Sequence, residues 1–250
     1  MGLLVCSAAL VAAESKKASP KKDPPKVIVA VPLGIAPGVK PRLILRGLRL
    51  DNATEVRCQE PKATAKLLKK SKVGEPNPQS LNRIGDTRVE AEVTLPPDYP
   101  NRTVTVSVVT PAGESAAHEL LIERVPVLHE KEPNNGFRQA QAIKLPQEVQ
   151  GRIDAAKDVD LYRFDGKAGQ RVTIEVLAAR YGSPLDALLT LYDVEGRILA
   201  SCDDVAGSPD PRLETTLPRD GGYILGVIDA NDEGSPMHLY RLSLRVKNHR

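Results

Sequence analysis

The sequence predicts an all-β chain folded as two β-sandwich domains. Short runs rich in β-branched residues recur along it, with apolar and polar residues alternating at the two-residue period of a strand. Glycine, proline, asparagine and aspartate divide these runs, and 18 Gly and 21 Pro are available for turns. No stretch keeps a helical period long enough for a long amphipathic helix. A length of 250 residues suits one to two domains, since domains commonly run to about 100–150 residues. The halves differ in composition, which favours two. Residues 1–129 carry 19 Lys/Arg against 13 Asp/Glu, residues 130–250 carry 16 against 19, and seven of the eight aromatics follow residue 129.

Residues 1–13, MGLLVCSAALVAA, form an apolar run ending in small residues, and Val11 and Ala13 are placed for signal-peptidase cleavage before Glu14. The run lacks a charged n-region. Cys6 comes early and follows Val5 rather than a small residue, which argues against lipidation. Residues 14–25, ESKKASPKKDPP, have almost nothing to bury and are expected to be a disordered tether. A first sandwich is expected over 26–124, with strands at 27–31, 41–47, 55–58, 87–95, 103–109 and 118–123. Residues 70–86 read as a polar loop, longer than an ordinary hairpin.

The second half carries eight more runs, at 148–153, 160–165, 170–178, 186–193, 197–201, 212–217, 223–229 and 238–246. Eight short strands parted by turns such as Asp220-Gly-Gly222 suit a two-sheet jelly roll over 129–246. Residues 137–142 are expected to begin a helical turn. Tyr162, Tyr192, Tyr223 and Tyr240 sit inside strand patterns and are expected in the core, while Tyr99 and Tyr181 read as free. Cys58 and Cys202, one in each half, are expected to be half-buried thiols, with a single interdomain bridge as the alternative.

Oxygen-rich residues cluster at both ends of the stretch from Glu130 to Phe164. Glu130, Glu132 and the Asn134-Asn135 pair open it, and Asp158-x-Asp160-x-Tyr162-x-Phe164 closes it. Such ends could meet at one hard cation, because calcium takes six to eight oxygen ligands in flexible geometry. Solvated linker charges and a capped turn are the plainer reading of the same residues. Asp203-Asp204 forms a second acidic pair, expected to bond turn amides and open to a second cation.

The order Glu130-x-Glu132-Pro133-Asn134-Asn135, Gly151-x-Ile153, Asp158-x-Asp160-x-Tyr162-x-Phe164, Leu189-x-Leu191-Tyr192-Asp193 and Gly221-Gly222-Tyr223-x-Leu225 resembles the bacterial pre-peptidase C-terminal domain over residues 129–246. The resemblance implies a secreted jelly-roll sandwich appended to extracellular peptidases and other exported proteins. In the related collagen-binding domains of clostridial collagenases, calcium lies between the Glu-x-Glu-x-Asn segment and acidic residues before the next strand. Carried over, this implies calcium held by Glu130, Glu132, Asn134 and Asn135 with Asp158 and Asp160, and Asp154 could stand in for one of the last two. Before it, Pro32-Leu-Gly-Ile-Ala-Pro-Gly38, the strand ending at Gly47, and Thr110-Pro111-Ala112-Gly113 resemble the IPT/TIG immunoglobulin-like family over 26–124. That implies a spacer or interaction module.

The net charge of +3 is too mild and too scattered for a nucleic-acid reader. After the leader no apolar run approaches the roughly 20 residues that span a bilayer, so no transmembrane segment is expected in the mature chain. None of the four histidines falls in a zinc spacing, and no serine occupies a Gly-x-Ser-x-Gly elbow. The expectation is therefore an exported, non-catalytic binding or targeting module in the periplasm, at the cell surface or secreted. Its expected partner is an extracellular protein, a cell-envelope polymer or a secreted peptidase. A structural fragment of a larger surface or peptidase-type protein is the first alternative, and a hydrolase with a cryptic site the second.

Overall fold

The computed structural model describes residues 23–74 and 81–247. The leader expected over 1–13 lies outside the described residues, as does the expected tether except for Asp23, Pro24 and Pro25.

The first half contains β1 (Lys26–Val31), β2 (Gly34–Ile35), β3 (Arg42–Leu48), β4 (Glu55–Cys58), β5 (Thr64–Lys72), α1 (Leu81–Ile84), β6 (Thr87–Thr94), β7 (Thr103–Thr110), β8 (Gly113–Glu114) and β9 (His118–Ile122). One sheet runs β1-β3-β6-β5; its partner runs β2-β9-β7-β4, with β8 paired to β7. In β6, TRVEAEVT buries alternate residues, so Val89, Ala91 and Val93 face Val104, Val106 and Val108 of β7 across one apolar core. Each of these valines, fully removed from water, contributes roughly 1.5–3 kcal/mol.

The second half contains β10 (Val127–His129), β11 (Gln141–Ala142), β12 (Gln147–Arg152), β13 (Val159–Gly166), β14 (Arg171–Leu177), β15 (Ala187–Asp193), β16 (Ile198–Cys202), β17 (Arg212–Thr216), β18 (Gly221–Asp229) and β19 (Leu239–Lys247). Two five-stranded sheets, β10-β12-β19-β14-β17 and β11-β13-β18-β15-β16, close on a second, separate core. Phe164 stacks on Tyr223 within it, with ring centroids 5.6 Å apart. Cys58 and Cys202 are both half-buried free thiols, and burial pushes the Cys58 thiol up to about 11.

Four expectations change. Strand β5 was not expected: Lys66, Lys69, Lys70 and Lys72 obscure its alternation, yet it pairs with β6 along its length as a sheet edge, where lysines discourage edge-to-edge association. The loop read at 70–86 accordingly begins with the end of β5 and contains α1. Residues 137–142 form no helix; Gln139 N–H closes a turn on the Gly136 carbonyl at 2.8 Å and the chain enters β11. The tyrosines also differ: Tyr99 is buried in the first core, its hydroxyl donating to the Thr103 carbonyl at 3.2 Å, Tyr181 packs half-buried between the two halves, and Tyr192 lies half-buried outside the core, edge-on to Phe137.

The halves meet at a small third cluster of Val29, Leu33 and Leu239, flanked by Leu121, Tyr181 and Met237. A 3-10 turn over Ala179–Tyr181 ends at Gly182 in a left-handed conformation, φ 82°. A Cβ there would stand 1.9 Å from the Ile28 carbonyl of β1, so only glycine lets this turn seat against the first half. Arg241 bridges the same seam, donating to Glu123 at 2.5 Å, and Arg83 of α1 pairs with Glu233.

Candidate metal centre

The segment after β10 is drawn onto the open end of the second core by its own carboxylates. Glu130 accepts the Arg152 N–H of β12 at 2.8 Å, and Glu132 accepts the Asn134 N–H at 2.8 Å. The Asn134 side chain is completely buried and its amide donates to Glu130 at 3.3 Å, while the Asn134 backbone carbonyl accepts the Leu161 N–H of β13. The segment is thereby laid beside the start of β13, where Asp160 points inward at zero exposure. Glu130, Glu132 and Asp160 each place a carboxylate oxygen within 4.8 Å of the others.

A file of hydroxyls supports Asp160 from the core side. Tyr240 of β19 donates to Asp160 Oδ2 at 2.5 Å, and the Tyr162 hydroxyl lies 2.6 Å from that of Tyr240. Tyr240 fits because Gly151 faces it across the β12–β19 ladder; a Cβ on Gly151 would stand 2.4 Å from the phenol and 2.9 Å from Glu130 Oε2. The sequence placed both tyrosines in the core, but nothing in it signalled this contact with Asp160.

Two oxygens here are reached by no hydrogen-bond donor: Asn134 Oδ1 and Asp160 Oδ1, both enclosed. Burial, then a hydrogen bond with Glu130 and its negative charge, pushes the Asp160 carboxyl up to about 10, so a proton is shared between the two carboxyls. Burial likewise raises Glu132, with Asp158, Glu130 and Asp154 adding to it. Buried oxygens beside crowded carboxylates are costly unless a proton or a cation joins them. The donors are all oxygen, as a hard cation requires.

The six residues named from the sequence therefore divide. Glu130, Glu132 and Asp160 cluster, with Asn134 bonded into them. Asp158 instead caps the entry to β13, accepting the Asp154 N–H at 2.8 Å and the Val159 N–H at 3.0 Å. Asn135 is exposed, and Asp154 pairs with Arg152. Asp186, Asp203 and Asp204 form a second carboxylate group within 4.8 Å; burial, then Asp204 and Asp186, raises Asp203. Asp186 was legible only as a strand residue.

Comparison with known proteins identifies much of this half: residues 158–229 match the family described as bacterial pre-peptidase C-terminal domain. Those residues are a pre-peptidase C-terminal domain. A probable subtilase-type serine protease of Deinococcus radiodurans is 33% identical over 132 residues, which are 46% of this chain and 18% of the relative. The chain thus spans less than a fifth of that relative's length. The pre-peptidase C-terminal domain of a collagenase from Bacillus anthracis is 21% identical, with a TM-score of 0.35 over 42% of this chain and 94% of that one. A periplasmic inhibitor of g-type lysozyme from Aeromonas hydrophila is 12% identical, with a TM-score of 0.34 over 49% of this chain and all of that one. Within the pre-peptidase C-terminal domain, Asp158 and Asp160 stand at the start of the matched residues. No helix among the described residues is long and apolar enough to cross a membrane, which says nothing about a β-barrel.

Proposed function

We propose that the chain is an exported, non-catalytic binding or targeting module whose pre-peptidase C-terminal domain is pinned to its entry segment by calcium. The observation that carries this reading is the pair of enclosed oxygens that no donor reaches, Asn134 Oδ1 and Asp160 Oδ1, beside the Glu130 and Glu132 carboxylates. Glu130, Glu132, Asn134 and Asp160 would hold the ion, and Asp158 would hold the loop behind them. The ion would neutralise the crowded carboxylates and fix the chain between β10 and β13. The first sandwich then acts as an immunoglobulin-like spacer, and a sheet face of the second meets an extracellular protein or cell-envelope polymer.

The partial match to a probable subtilase-type serine protease favours a second form of this reading, in which the module positions a secreted peptidase, in the same chain or as a partner.

Calcium titration by calorimetry, with melts of the chain in chelator and in excess calcium, tests the site. Saturable binding with a Kd of about 10⁻⁴–10⁻³ M, the range of extracellular modules, and a raised melting temperature are expected. No heat and no shift would refute the calcium reading and leave a passive spacer. Pull-down of the calcium-loaded chain on insoluble extracellular polymers and on secreted peptidases then separates the two partner classes.

A further inference from the structure

One histidine in the seam between the sandwiches, His118, and one beside it, His238, take no part in the cores or the candidate metal centre. His118 opens β9 with its ring Nε2 enclosed and unpartnered, and its Cε1 lies 2.9 Å from where a Gly182 Cβ would stand. His238 precedes β19, between Met237 and Leu239 of the seam cluster; it is 4% exposed, and its Nε2 is also enclosed and unpartnered. Its Nδ1 lies 2.8 Å from Ser235 Oγ. Neither Nε2 has an acceptor for the proton that a charged ring carries there. An imidazolium at either place would be a buried charge with an unmet donor, which the docked arrangement disfavours.

The surrounding groups offer little compensation. Around His118, Glu119 of its own strand is the charge that bears on the ring; β1 presents the Ile28 carbonyl to Gly182, and the 3-10 turn contributes the Tyr181 phenol. Arg180 of that turn is engaged by Asp210 and Glu175. Around His238, Asp229 of β18 and Glu233 favour the charged ring and Arg83 of α1 opposes it. Asp229 already accepts N–H groups from Asp186, Asn231 and Glu233, and Glu233 is paired with Arg83 across the seam. The two cores are separate clusters, so parting the seam opens neither of them.

We infer that this seam is an acid-sensitive latch: protonation of His118 and His238 releases the second sandwich from the first while both stay folded. Burial supplies the direction, holding His118 down to about 4 and lowering His238. The undocked rings titrate near the ordinary value of about 6.5, so the undocked state binds more protons between that value and about 4. Docking is therefore fully favoured above pH 6.5 and weakens as pH falls. For His118 alone the docking equilibrium falls roughly tenfold per pH unit through this window, and His238 adds to it.

Small-angle X-ray scattering of the chain at fixed calcium, from pH 7.5 to pH 4, tests the latch, with far-UV circular dichroism at every point. The expected result is a rising maximum dimension with an unchanged β spectrum. A His118→Gln/His238→Gln double variant is expected to stay compact throughout. A wild type that stays compact to pH 4, expansion together with loss of the β spectrum, or equal expansion of the folded double variant would each overturn the proposal. Should the double variant not fold, the four histidine Cε1 proton resonances of the wild type decide. Two midpoints well below 6.5 that track the expansion support the latch, and ordinary midpoints for all four overturn it.

Discussion

Asp160 is the residue at which cost and function are most closely joined. Its side chain has no exposure, one oxygen accepts from Tyr240, and no donor reaches the other. Asp160→Asn keeps the shape of the protonated carboxyl but can no longer ionise to meet a cation, so the fold is expected to survive in chelator while the calcium response is lost. In the parent, calcium at a hundredfold excess over Kd should add about 2.7 kcal/mol to stability. Urea denaturation with and without calcium reads both values; a variant that keeps the full increment would place the ion elsewhere. Glu132→Ala combined with Asp160→Ala should give the same loss from both banks of the site. Gly151 is the other sensitive position, since a Cβ there meets Tyr240 and Glu130 together. Gly151→Ala is expected to cost about 1–3 kcal/mol, as overpacking does, and to weaken calcium binding, measured by the same denaturation and by calorimetry.

At the scale of the element, what could be read in advance depended on which force sets each strand. Runs such as VDLYRFDG in β13 and GGYILGVID in β18 are governed by burial, and the period of their apolar residues shows it. Strand β5 is governed by pairing with β6 at a solvated edge, so four lysines hid it. Strand β10 has only Val127, Leu128 and His129 to pair in parallel with β12, too few residues to show any period. The same contrast runs through the site. Glu130, Glu132 and Asp160 stood out as oxygen-rich positions, whereas the Asp160–Tyr240 contact joins residues 80 apart and depends on β12, β13 and β19 coming together. Within the seam, one tight turn is the element most sensitive to a single added carbon. Gly182→Ala must move its Cβ away from the Ile28 carbonyl and also strains a left-handed backbone. It is expected to loosen the seam and spare the second core. Faster amide exchange at Leu121, whose N–H bonds to the Leu33 carbonyl, with unchanged protection at Leu225, is the outcome that checks this.

For the whole molecule, adjacent rungs of the β12–β19 ladder serve different ends. Gly151 and Tyr240 face the candidate metal centre, while the next rung, Gln150 and Arg241, faces the first sandwich. Alternation along a strand keeps the two jobs on opposite faces of one sheet. Arg241 is 4% exposed, donates to Glu123 and to Gln150, and already has an unpartnered Nε. Removing Glu123 leaves a buried guanidinium short of its counter-charge, a change that commonly costs about 3–5 kcal/mol. Glu123→Ala is therefore expected to weaken interdomain docking by that order, while the calcium increment persists because the Gly151–Tyr240 rung is untouched. Scanning calorimetry in calcium and in chelator reads both effects, as two separated transitions in place of coupled unfolding and a calcium shift confined to one of them. A calcium shift lost together with docking would mean that the two rungs act as one, with the ion holding the sandwiches together as well as the segment it binds.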